Sequence, residues 1–543
     1  MYQHIYDPTS SLLQPIVYSQ CPDGQIFYVE NGNDTATVSW VPPAIMSVYP
    51  ATTQVNYEPG SQFPVGDNRV VYSTVDAEGN TAGCIFGILV VVLSPCSNGY
   101  KNPYRAKDSA GLNQVLAAWT SQGLCQGTIT LKPQLPTTFY LDKAVNWDSG
   151  GNIAIEGKSG LVTLSVASPG RLFNVTGYGV LTLKGVTITG GEAIERGGGA
   201  IRLTNHSTVH LIQSSLINNT APVGGAISAR DSSIVNITKC TMERNMVTDS
   251  SSYGGAVFVL ESQLLVTRSA FQQNIADGGG AVCVGFGSTA DITRSTFNEN
   301  KCQGMGGCAL FAESSAVTVT GCKFADNRGV EALGGAIRAV AGSKFHVSNC
   351  IFRNNSIIGQ SSFGGGAIAL YSCPYFQVED SKFISNSALT TLDGEDVSRG
   401  GAIAIWGDDS LNNQAEVTRC LFRSNTAIRG GAIGFAYGGL KVKQSNFTSN
   451  VASEKGAAVI SDYATTPLVF EDSIFAKNVV TGGTGGALNL KTWSLGRAKV
   501  VSCTFKKNLG GCSTADIECN EDFTCIDSPS AGHTYPPGLC KAI

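Results

Sequence analysis

The stretch RGGAIGFAYGGLKVKQSNFTSN, residues 429–450, decides the fold of this chain. It holds a glycine pair, two short apolar phrases, and then a Phe and an Asn three residues apart. Very similar stretches are GGAISARDSSIVNITKCTMERN at 224–245 and GGAVCVGFGSTADITRSTFNEN at 279–300. Recurrence at this length indicates a repeat architecture, in which each unit packs on its neighbours.

Eleven copies align on one large apolar residue, and the aligned positions are called the Phe column. Its members are Leu216, Met242, Phe271, Phe297, Phe324, Phe352, Phe383, Phe422, Phe447, Phe475 and Phe505. Three residues later every copy has Asn (the Asn column), and two residues earlier every copy has Ser or Cys (the Ser/Cys column). The residues five and seven positions earlier are apolar. Agreement at five positions in eleven copies excludes chance.

The spacing of these columns predicts the fold. Side chains alternate along a strand, so residues −7 and −5 share one face, as do −2 and 0. The change of parity between −5 and −2 requires a corner, and alternation resumes after the glycine pair. Each copy therefore has three short strands and three turns, and successive copies stack their strands about 4.8 Å apart. This is an all-β, three-faced, right-handed parallel β-helix.

Each column has a physical reason. The glycines allow positive φ and close backbone approach, and the Phe rings stack inside the coil. A small inward residue is needed beside them, which explains the Ser/Cys column. Asn tolerates the left-handed conformation, and it can form a ladder of amides from coil to coil.

The coils extend upstream of the eleven copies. VLTLKGVTITGG at 180–191 fits the register, and looser coils begin near residues 127–133 and 151–160. Before them, residues 107–123 place Leu112, Val115, Leu116 and Trp119 on one helical face, with Asp108 or Ser109 as N-cap. A solenoid needs a lid on its first coil. We therefore predict a linker and helical cap over 96–126, in which Cys96 and Cys125 bridge, a β-helix over 127–510, and a Cys-rich segment over 511–543.

The repeat resembles that of the polymorphic outer membrane protein family, which forms passenger domains of bacterial autotransporters and also occurs in eukaryotic surface proteins. The likeness rests on GGAI followed by F-x-x-N and covers roughly residues 180–510. It implies a surface-exposed, adhesive β-helix. The chain departs from the bacterial form, because a Cys-rich segment follows the repeats in place of translocating barrel strands.

Residues 1–95 predict a separate module, an immunoglobulin-like β-sandwich of short strands broken by Pro and Gly. The phrases VSWVPP, G-x-x-FPVG-x-x-V-x-Y, D-x-x-GN and C-x-F resemble the hyalin repeat (HYR) domain, an extracellular module associated with adhesion. The resemblance implies a disulfide between Cys21 and Cys84. The alternative is two unrelated buried thiols.

Composition limits the function classes. Charged residues are 14% and hydrophobic residues 42%, which argues against disorder. The net charge of −4 shows no polyanion-binding footprint, so nucleic acid is not expected as a partner. The longest apolar run, CIFGILVVVL at 84–93, is too short to span a bilayer.

Cysteines and sequons favour secretion. The start MYQHIYDPTSS has no apolar signal region, so we expect the chain to be mature or a fragment rather than cytosolic. Predicted glycan acceptors are Asn33, Asn174, Asn205, Asn218, Asn236, Asn354 and Asn446. The derived register points Asn218, Asn236, Asn354 and Asn446 outward.

Parallel β-helices also carry polysaccharide enzymes, which need clustered carboxylates on one face. The best acidic pairs are Asp408-Asp409 and Glu395-Asp396, and both are interpreted as solvated loop charges. The five histidines are scattered. His206 and His210 have metal-site spacing, but a metal there is not expected. No catalytic, cofactor-binding or metal-binding residue is assigned.

Other cysteines leave alternatives open. Cys322 and Cys350 occupy the same column of adjacent coils, which suits either a disulfide or two stacked thiols. Cys512, Cys519, Cys525 and Cys540 suggest a disulfide-stapled cap or the start of another module. A zinc site is a poorer choice there because no C-x-x-C pair is present.

Aromatic residues recur after the first strand of the later coils: Tyr371, Trp406, Tyr437, Tyr463 and Trp493. If these side chains lie on one flank of the coil, they would form a platform for sugar rings or a partner protein. The alternative is that they pack under their own loops. We expect an extracellular or cell-surface structural or adhesive protein that contacts other proteins or glycans, or itself. A carbohydrate-binding or polysaccharide-cleaving enzyme is the alternative, and ice binding is set aside because the outward positions are mixed.

Overall fold

The computed structural model describes most of the chain. The described residues are 17–18, 21–22, 24–30, 33–43, 45–46, 50–148, 150–195, 197–359, 364–390, 400–407, 414–483, 485–492, 498–510, 517–519, 523–526, 534–535 and 540–541. Two compact units are present, residues 1–97 with 124–126, and residues 98–123 with 127–543.

The first unit is a small β-domain with its own core. One sheet contains Gln25–Glu30, Thr81–Pro95, Gly66–Asp76 and Ala51–Val55, paired in that order. Two further pairs are Thr35–Val38 with Ser61–Pro64 and Val17–Tyr18 with Ile45–Met46. Trp40 is central to the core, where its ring lies edge-on to Phe63 and Phe86 and its Nε1 donates to the Tyr72 hydroxyl at 2.8 Å. Burial of these large rings stabilises so small a domain.

The second unit is a right-handed parallel β-helix, as predicted, and its coils form three long sheets. The strands of sheet 1 are Tyr104–Ala106, Cys125–Leu131, Asn152–Glu156, Val180–Lys184, Thr208–Ile212, Ile234–Thr238, Gln263–Thr267, Thr289–Thr293, Ala316–Thr320, Lys344–Ser348, Tyr375–Glu379, Gln414–Thr418, Gly439–Lys443, Leu468–Glu471, Ala498–Val501, Phe523–Ile526 and Cys540–Lys541. The strands of sheet 2, which carry the Phe column, are Thr137–Leu141, Val162–Val166, Thr187–Thr189, Ser215–Ile217, Thr241–Glu243, Ala270–Gln272, Thr296–Asn298, Lys323–Ala325, Ile351–Arg353, Lys382–Ile384, Leu421–Arg423, Asn446–Thr448, Ile474–Ala476 and Thr504–Lys506.

Sheet 3 follows the glycine pairs. Its strands are Val145–Trp147, Phe173–Val175, Ile201–Leu203, Ile227–Ala229, Val257–Val259, Val282–Val284, Leu310–Glu313, Ile337–Val340, Ile368–Tyr371, Ile403–Trp406, Ile433–Ala436, Val459–Ala464, Leu488–Thr492, Ile517–Cys519 and Thr534–Tyr535. Strands of sheets 1 and 3 beyond residue 510 pair with the coil before them. The parallel pairing therefore continues into the segment predicted as a separate Cys-rich end.

A fourth, shorter sheet occupies the turn after the Asn column, where no strand was predicted. Its strands are Thr220–Ala221, Met246–Val247, Ile275–Gly278, Lys301–Gly306, Arg328–Val330, Ser356–Gly359, Ser387–Thr390, Thr426–Arg429, Val451–Lys455 and Val479–Val480. Each coil here passes from the ladder Asn into an extended segment, and stacked extended segments pair automatically at the coil spacing.

The interior matches the predicted columns. The Phe rings from Phe271 to Phe505 form a continuous stack with centroids 4.6 to 5.0 Å apart. Ladder amides from Asn219 to Asn478 each donate Nδ2 to the Asn Oδ1 of the next coil at 2.8 to 3.1 Å, and Asn508 is the last acceptor. The Ser/Cys column also hydrogen-bonds, since the backbone N–H of Cys240 donates to Ser269 Oγ at 3.0 Å. That bond explains why the column takes a side chain with a terminal oxygen or sulfur.

The ladder Asn does not adopt the left-handed conformation that this residue type tolerates. The residue just before it is left-handed in all eleven copies, for example Arg244 (φ 51°) before Asn245 and Asp326 (φ 55°) before Asn327. A second left-handed residue precedes each Ser/Cys position, as Lys239 (φ 56°) precedes Cys240. A single left-handed residue bends the strand, and the side chain after it points into the coil. The ladder Asn must point inward to bond its neighbours, so the bend falls one residue earlier.

The glycine pair forms the corner before sheet 3. Gly254 has φ +69°, and a Cβ on Gly255 would lie 2.1 Å from the carbonyl oxygen of Gly280 one coil away. The first glycine supplies a backbone conformation, and the second leaves room for the next coil.

The predicted helix is confirmed as Ser109–Gln122, with Asp108 as N-cap accepting from Gly111 N–H at 2.8 Å. Its buried face is the predicted set Leu112, Val115, Leu116 and Trp119. The helix bonds to the strand Thr137–Leu141, because Asn113 Nδ2 donates to Tyr140 O at 2.9 Å. It therefore covers apolar side chains of the first coils.

Candidate interaction surfaces of the β-helix

Three of the five predicted platform residues come together on the outer face of sheet 3. Tyr371 and Trp406 end adjacent strands and are register partners. The Trp406 ring centroid lies 5.5 Å from that of Tyr437, at an interplanar angle of 59°. Tyr371 is 50% exposed. The side chain of Tyr463 and the whole of Trp493 lie outside the described residues.

The backbone explains this column. In Ile368–Tyr371 and Ile403–Trp406 the first and third residues are buried in the coil, so the fourth points outward. Tyr437 follows the next strand in a left-handed conformation, φ 60°. Tyr and Trp offer flat apolar faces with one polar group, which suits contact with sugar rings or partner side chains.

Earlier coils use the outer face of sheet 3 differently. Phe258, Cys283, Phe311 and Val340 form a buried cluster there. Tyr253 stacks on Phe311 with centroids 5.4 Å apart, and the Arg338 guanidinium lies 5.7 Å from the same ring. Burial raises the pKa of Tyr253 and lowers that of Arg338. Other side chains of the same protein cover this part of the outer face of sheet 3. Its apolar groups are therefore buried and do not form a contact surface.

The cluster was missed in the sequence because Tyr253 belongs to a coil connection. Its partners Phe258, Cys283 and Phe311 occupy outward positions, where the alternation of the strand gives no burial signal.

A charged network spans three coils on sheet 1 and its corner with sheet 2. The Arg419 guanidinium binds Asp380 at 2.7 and 2.8 Å and Glu379 at 2.8 Å. His346 Nε2 lies 3.7 Å from Glu379 Oε1. Hydrogen bonding to Arg419 lowers the pKa of Asp380 below its ordinary value.

A general acid at neutral pH needs a raised pKa, so Asp380 is suited to an ion pair and not to proton donation. The acidic pairs Asp408-Asp409 and Glu395-Asp396 lie outside the described residues.

The two histidines with metal-site spacing have other contacts. His206 stacks on Tyr178 with centroids 4.9 Å apart, and His210 Nδ1 lies 3.1 Å from Asn236 Nδ2. Within the described part of the chain, no three His, Cys, Asp or Glu side chains form a group that could hold a metal ion.

The predicted glycan acceptors divide by exposure. Asn33, Asn205, Asn218 and Asn354 are exposed, and Asn174, Asn236 and Asn446 are half-buried. Asn218 and Asn354 are both left-handed residues at the bend before the ladder Asn. Asn446 Oδ1 accepts from Thr448 Oγ1, the hydroxyl of its own sequon, at 2.6 Å.

Three disulfides occur among the described residues. They join Cys21 to Cys84, Cys96 to Cys125, and Cys302 to Cys308. The third was not predicted, since its cysteines lie outside the aligned columns. Cys322 and Cys350 are free thiols, and the N–H of Cys322 lies 3.3 Å from Cys350 Sγ. Cys512 and the side chains of Cys519, Cys525 and Cys540 lie outside the described residues.

Two family models match the chain. The model described as "Right handed beta helix region" matches residues 226–415, and the model of the HYR domain matches residues 13–90. The chain therefore contains an HYR domain and a right-handed parallel β-helix.

One curated relative is the metabotropic glutamate receptor-like protein R of Dictyostelium discoideum, 31% identical over 177 residues. That match covers 32% of this chain and 10% of the relative.

The comparison with solved structures gives matches of low similarity only. The catalytic domain of a GH87 α-1,3-glucanase has a TM-score of 0.34 at 9% identity, covering 86% of this chain and 76% of that one. A mannuronic acid-specific polysaccharide family 6 lyase from human gut microbiota has a TM-score of 0.32 at 12% identity, covering 68% and 87%. Such values carry no argument about the activity of this chain. Among the described residues, no helix has the length and apolarity needed to cross a membrane.

Proposed function

We propose that the protein acts outside the cell or on its surface, as a structural or adhesive protein whose β-helix contacts proteins or glycans. The HYR domain supports this, because the module is associated with extracellular adhesion. The receptor-like relative and the disulfides agree with that location.

The observation that carries the proposal is the aromatic column of Tyr371, Trp406 and Tyr437. Tyr371 and Trp406 are register partners, and Trp406 contacts Tyr437, so the three rings follow one another along successive coils. Aromatic anchors of this kind dominate the energetics of contact surfaces. The repeats are of the polymorphic outer membrane protein type in this proposal, supported by the recurrence of GGAI or a close variant of it and of F-x-x-N in most copies.

The test measures binding of the purified chain to a glycan array and to immobilised cell-surface proteins. Trp406→Ala and Tyr371→Ala should each weaken binding at least ~10-fold, the equivalent of about 1.4 kcal/mol. Tyr371 is half exposed, so its substitution should leave thermal unfolding unchanged and separates binding from folding. Tyr375→Ala is the matched control, an exposed Tyr of the next strand in the chain that lies on sheet 1. Equal binding by all four proteins would overturn the proposal.

The glycan acceptors are part of the same proposal. Peptide mapping of the secreted protein should find glycans at the exposed Asn218 and Asn354. Disulfides among Cys512, Cys519, Cys525 and Cys540 would appear in the non-reduced map. Unmodified Asn218 and Asn354 from a glycosylating host would contradict the glycan assignment.

A polysaccharide-cleaving enzyme remains the competing function. Its residues would be Asp408 and Asp409, so the experiment is a polysaccharide degradation screen with both changed to Asn. Activity in the wild type that is lost in this variant would replace the adhesive function.

A further inference from the structure

A row of basic side chains follows the corner between sheets 1 and 2. Lys239, Arg268 and Arg294 are the left-handed residues at this corner in three successive coils, with φ of 56°, 50° and 49°. Their backbone N–H groups donate to Thr267 O, Thr293 O and Thr320 O at 2.9 to 3.0 Å, which fixes one residue per coil. All three residues are exposed. These three residues are named the basic ridge.

The side chains directly beside the basic ridge are neutral, and the exposed Asp291 lies two residues before Thr293 on the outer face of sheet 1. On its sheet 1 side lie Thr238, Thr267 and Thr293, and on its sheet 2 side lie Thr241, Ala270 and Thr296. Thr267 and Thr293 share a hydrogen bond between their hydroxyls at 3.2 Å. No described ion pair involves a residue of the ridge. Its charges therefore face solvent between two rows of mostly hydroxyl side chains.

Two further lysines extend the same corner. Lys184 lies before the basic ridge and Lys323 after it. No acidic residue occurs at this corner in seven coils, at 184–187, 212–215, 238–241, 267–270, 293–296, 320–323 and 348–351. A groove at the N-terminal end is lined by Lys158, Lys184, Lys239, Ser214, Ser215 and Thr241. Lys184 contacts Glu156 at 3.2 Å, and Glu243, beyond the corner, is bound by Arg244.

The later coils treat this corner differently. Arg419 binds Asp380, which holds the equivalent corner position one coil earlier. Lys443 Nζ lies 3.1 Å from Glu471 of the next coil. The fold thus accommodates alternating charge along the corner. Like charges one coil apart repel each other, so the basic ridge lowers stability unless a ligand neutralises it.

We propose that the basic ridge binds a linear anionic polysaccharide laid along the helix axis, with its carboxylate or sulfate groups matched to successive coils. This names a ligand class for the adhesive function and rests on that proposed function. Coils repeat about every 4.8 Å, the spacing of paired strands. In a sugar polymer with one acidic group per ring, the acidic groups follow one another at about one ring length, which suits a cation on every coil. The hydroxyl groups of the polymer can hydrogen-bond to the flanking rows of Thr.

Other polyanions fit the ridge less well. Phosphates of a DNA strand advance about 3.4 Å along the duplex axis, and single strands need aromatic side chains for base stacking, which the flanking columns do not have. An extended acidic peptide presents like-facing side chains about 6.8 Å apart, twice its residue rise. A membrane surface would favour apolar anchors among the cations, and the ridge is flanked by Thr and Ala.

The test uses the full chain and three surfaces: heparin, polygalacturonate and neutral dextran. The ridge variant is Lys239→Gln, Arg268→Gln and Arg294→Gln together, which removes charge and keeps length. The control is Arg353→Gln, Arg423→Gln and Lys477→Gln, which are also exposed but lie on every second coil at the other edge of sheet 2.

The wild type and the control should bind both anionic polymers and not dextran, with affinity that falls as salt rises. The ridge variant should bind at least ~10-fold more weakly near 0.15 M salt, with a shallower salt dependence. Its thermal unfolding should be unchanged or improved, because the substitutions remove repulsion.

Three outcomes would overturn the inference: no wild-type binding to either anionic polymer, equal loss in the control variant, or tighter binding to single-stranded DNA or to phosphatidylserine vesicles than to the polysaccharides. The aromatic-column experiment changes other residues and measures neutral glycans and proteins as well. If the basic-ridge proposal is overturned, the result of the aromatic-column experiment is unaffected. If the aromatic-column proposal is overturned, the basic-ridge experiment still gives its own answer.

Discussion

Asn386 donates its side-chain amide to Asn425 at 3.0 Å across 39 residues of sequence. Asn425 donates in the same way to Asn450 at 3.0 Å across only 25 residues. The extra residues of the longer coil therefore leave the ladder geometry unchanged. The ladder holds the interior at a constant spacing, and differences in coil length are taken up between its repeated positions.

Removal of one ladder amide should be costly. Asn327 is fully buried, donates to Asn355 Oδ1 and Phe297 O, and accepts from Asn300. Asn327→Ala leaves these partners unpaired in the interior, and we expect a loss of about 3 kcal/mol in the free energy of unfolding. Urea denaturation measures it. Arg353→Ala, an exposed change on the following strand of sheet 2, is the control, and equal stability of the two variants would contradict the role of the ladder.

The second glycine of a pair should not tolerate a methyl group. In Gly255→Ala the new Cβ meets the carbonyl oxygen of Gly280 at 2.1 Å, so two coils must separate. We expect little soluble protein, or a loss of at least about 3 kcal/mol, in the range of severe overpacking. Gly170→Ala is the control, because its nearest atom is 3.8 Å away and its φ is ordinary. Normal yield and stability of the Gly255 variant would show that the coils do not approach this closely.

Stability should fall in mild acid, in part because of His210. Burial lowers the pKa of His210 below its ordinary 6.5, so the unfolded chain takes up a proton more readily. The free energy of unfolding therefore decreases as pH falls through 6.5 toward the folded-state pKa. His210→Asn places a side chain that does not titrate beside Asn236. The stability of the wild type relative to this variant should decline between pH 7.5 and pH 5, and parallel curves would rule out a contribution from His210.

The inward cysteines should be inert in the folded protein. Burial raises the pKa of both Cys240 and Cys503 to about 11, so little thiolate exists at pH 7.5. Maleimide labelling read by peptide mass spectrometry should leave both unmodified in native protein and modify both in denaturant. Rapid labelling without denaturant would mean that the coils open readily at the Ser/Cys column.

The interior of the β-helix could be predicted from the sequence because alternation is a local signal. Cys322 and Phe324 recur at offsets of equal parity, which places both on the inward face of one strand. Asn327 recurs at an odd offset from Phe324, and its inward position depends on the left-handed residue before it. The left-handed bends could not be predicted in the same way. Arg244, Gln273 and Asp326 share a backbone conformation but no chemistry, so composition does not reveal the column.

The surfaces were harder to predict for a related reason. Tyr371 and Trp406 could be found because aromatics recur at one offset. The basic ridge was hidden in a net charge of −4, since Asp380 and Glu379 of later coils offset Lys239 and Arg268 in the sum. Cys302–Cys308 lies outside the aligned columns and gave no periodic signal.

The ladder also bears on how such a chain can grow during evolution. Every Asn in its middle receives bonds from the coil before it and gives the same bonds to the coil after it. Duplication of one coil in the gene would insert a unit that satisfies both neighbours at once. Each duplication adds about 4.8 Å of reach. Length can therefore change by whole coils while loop residues diversify independently.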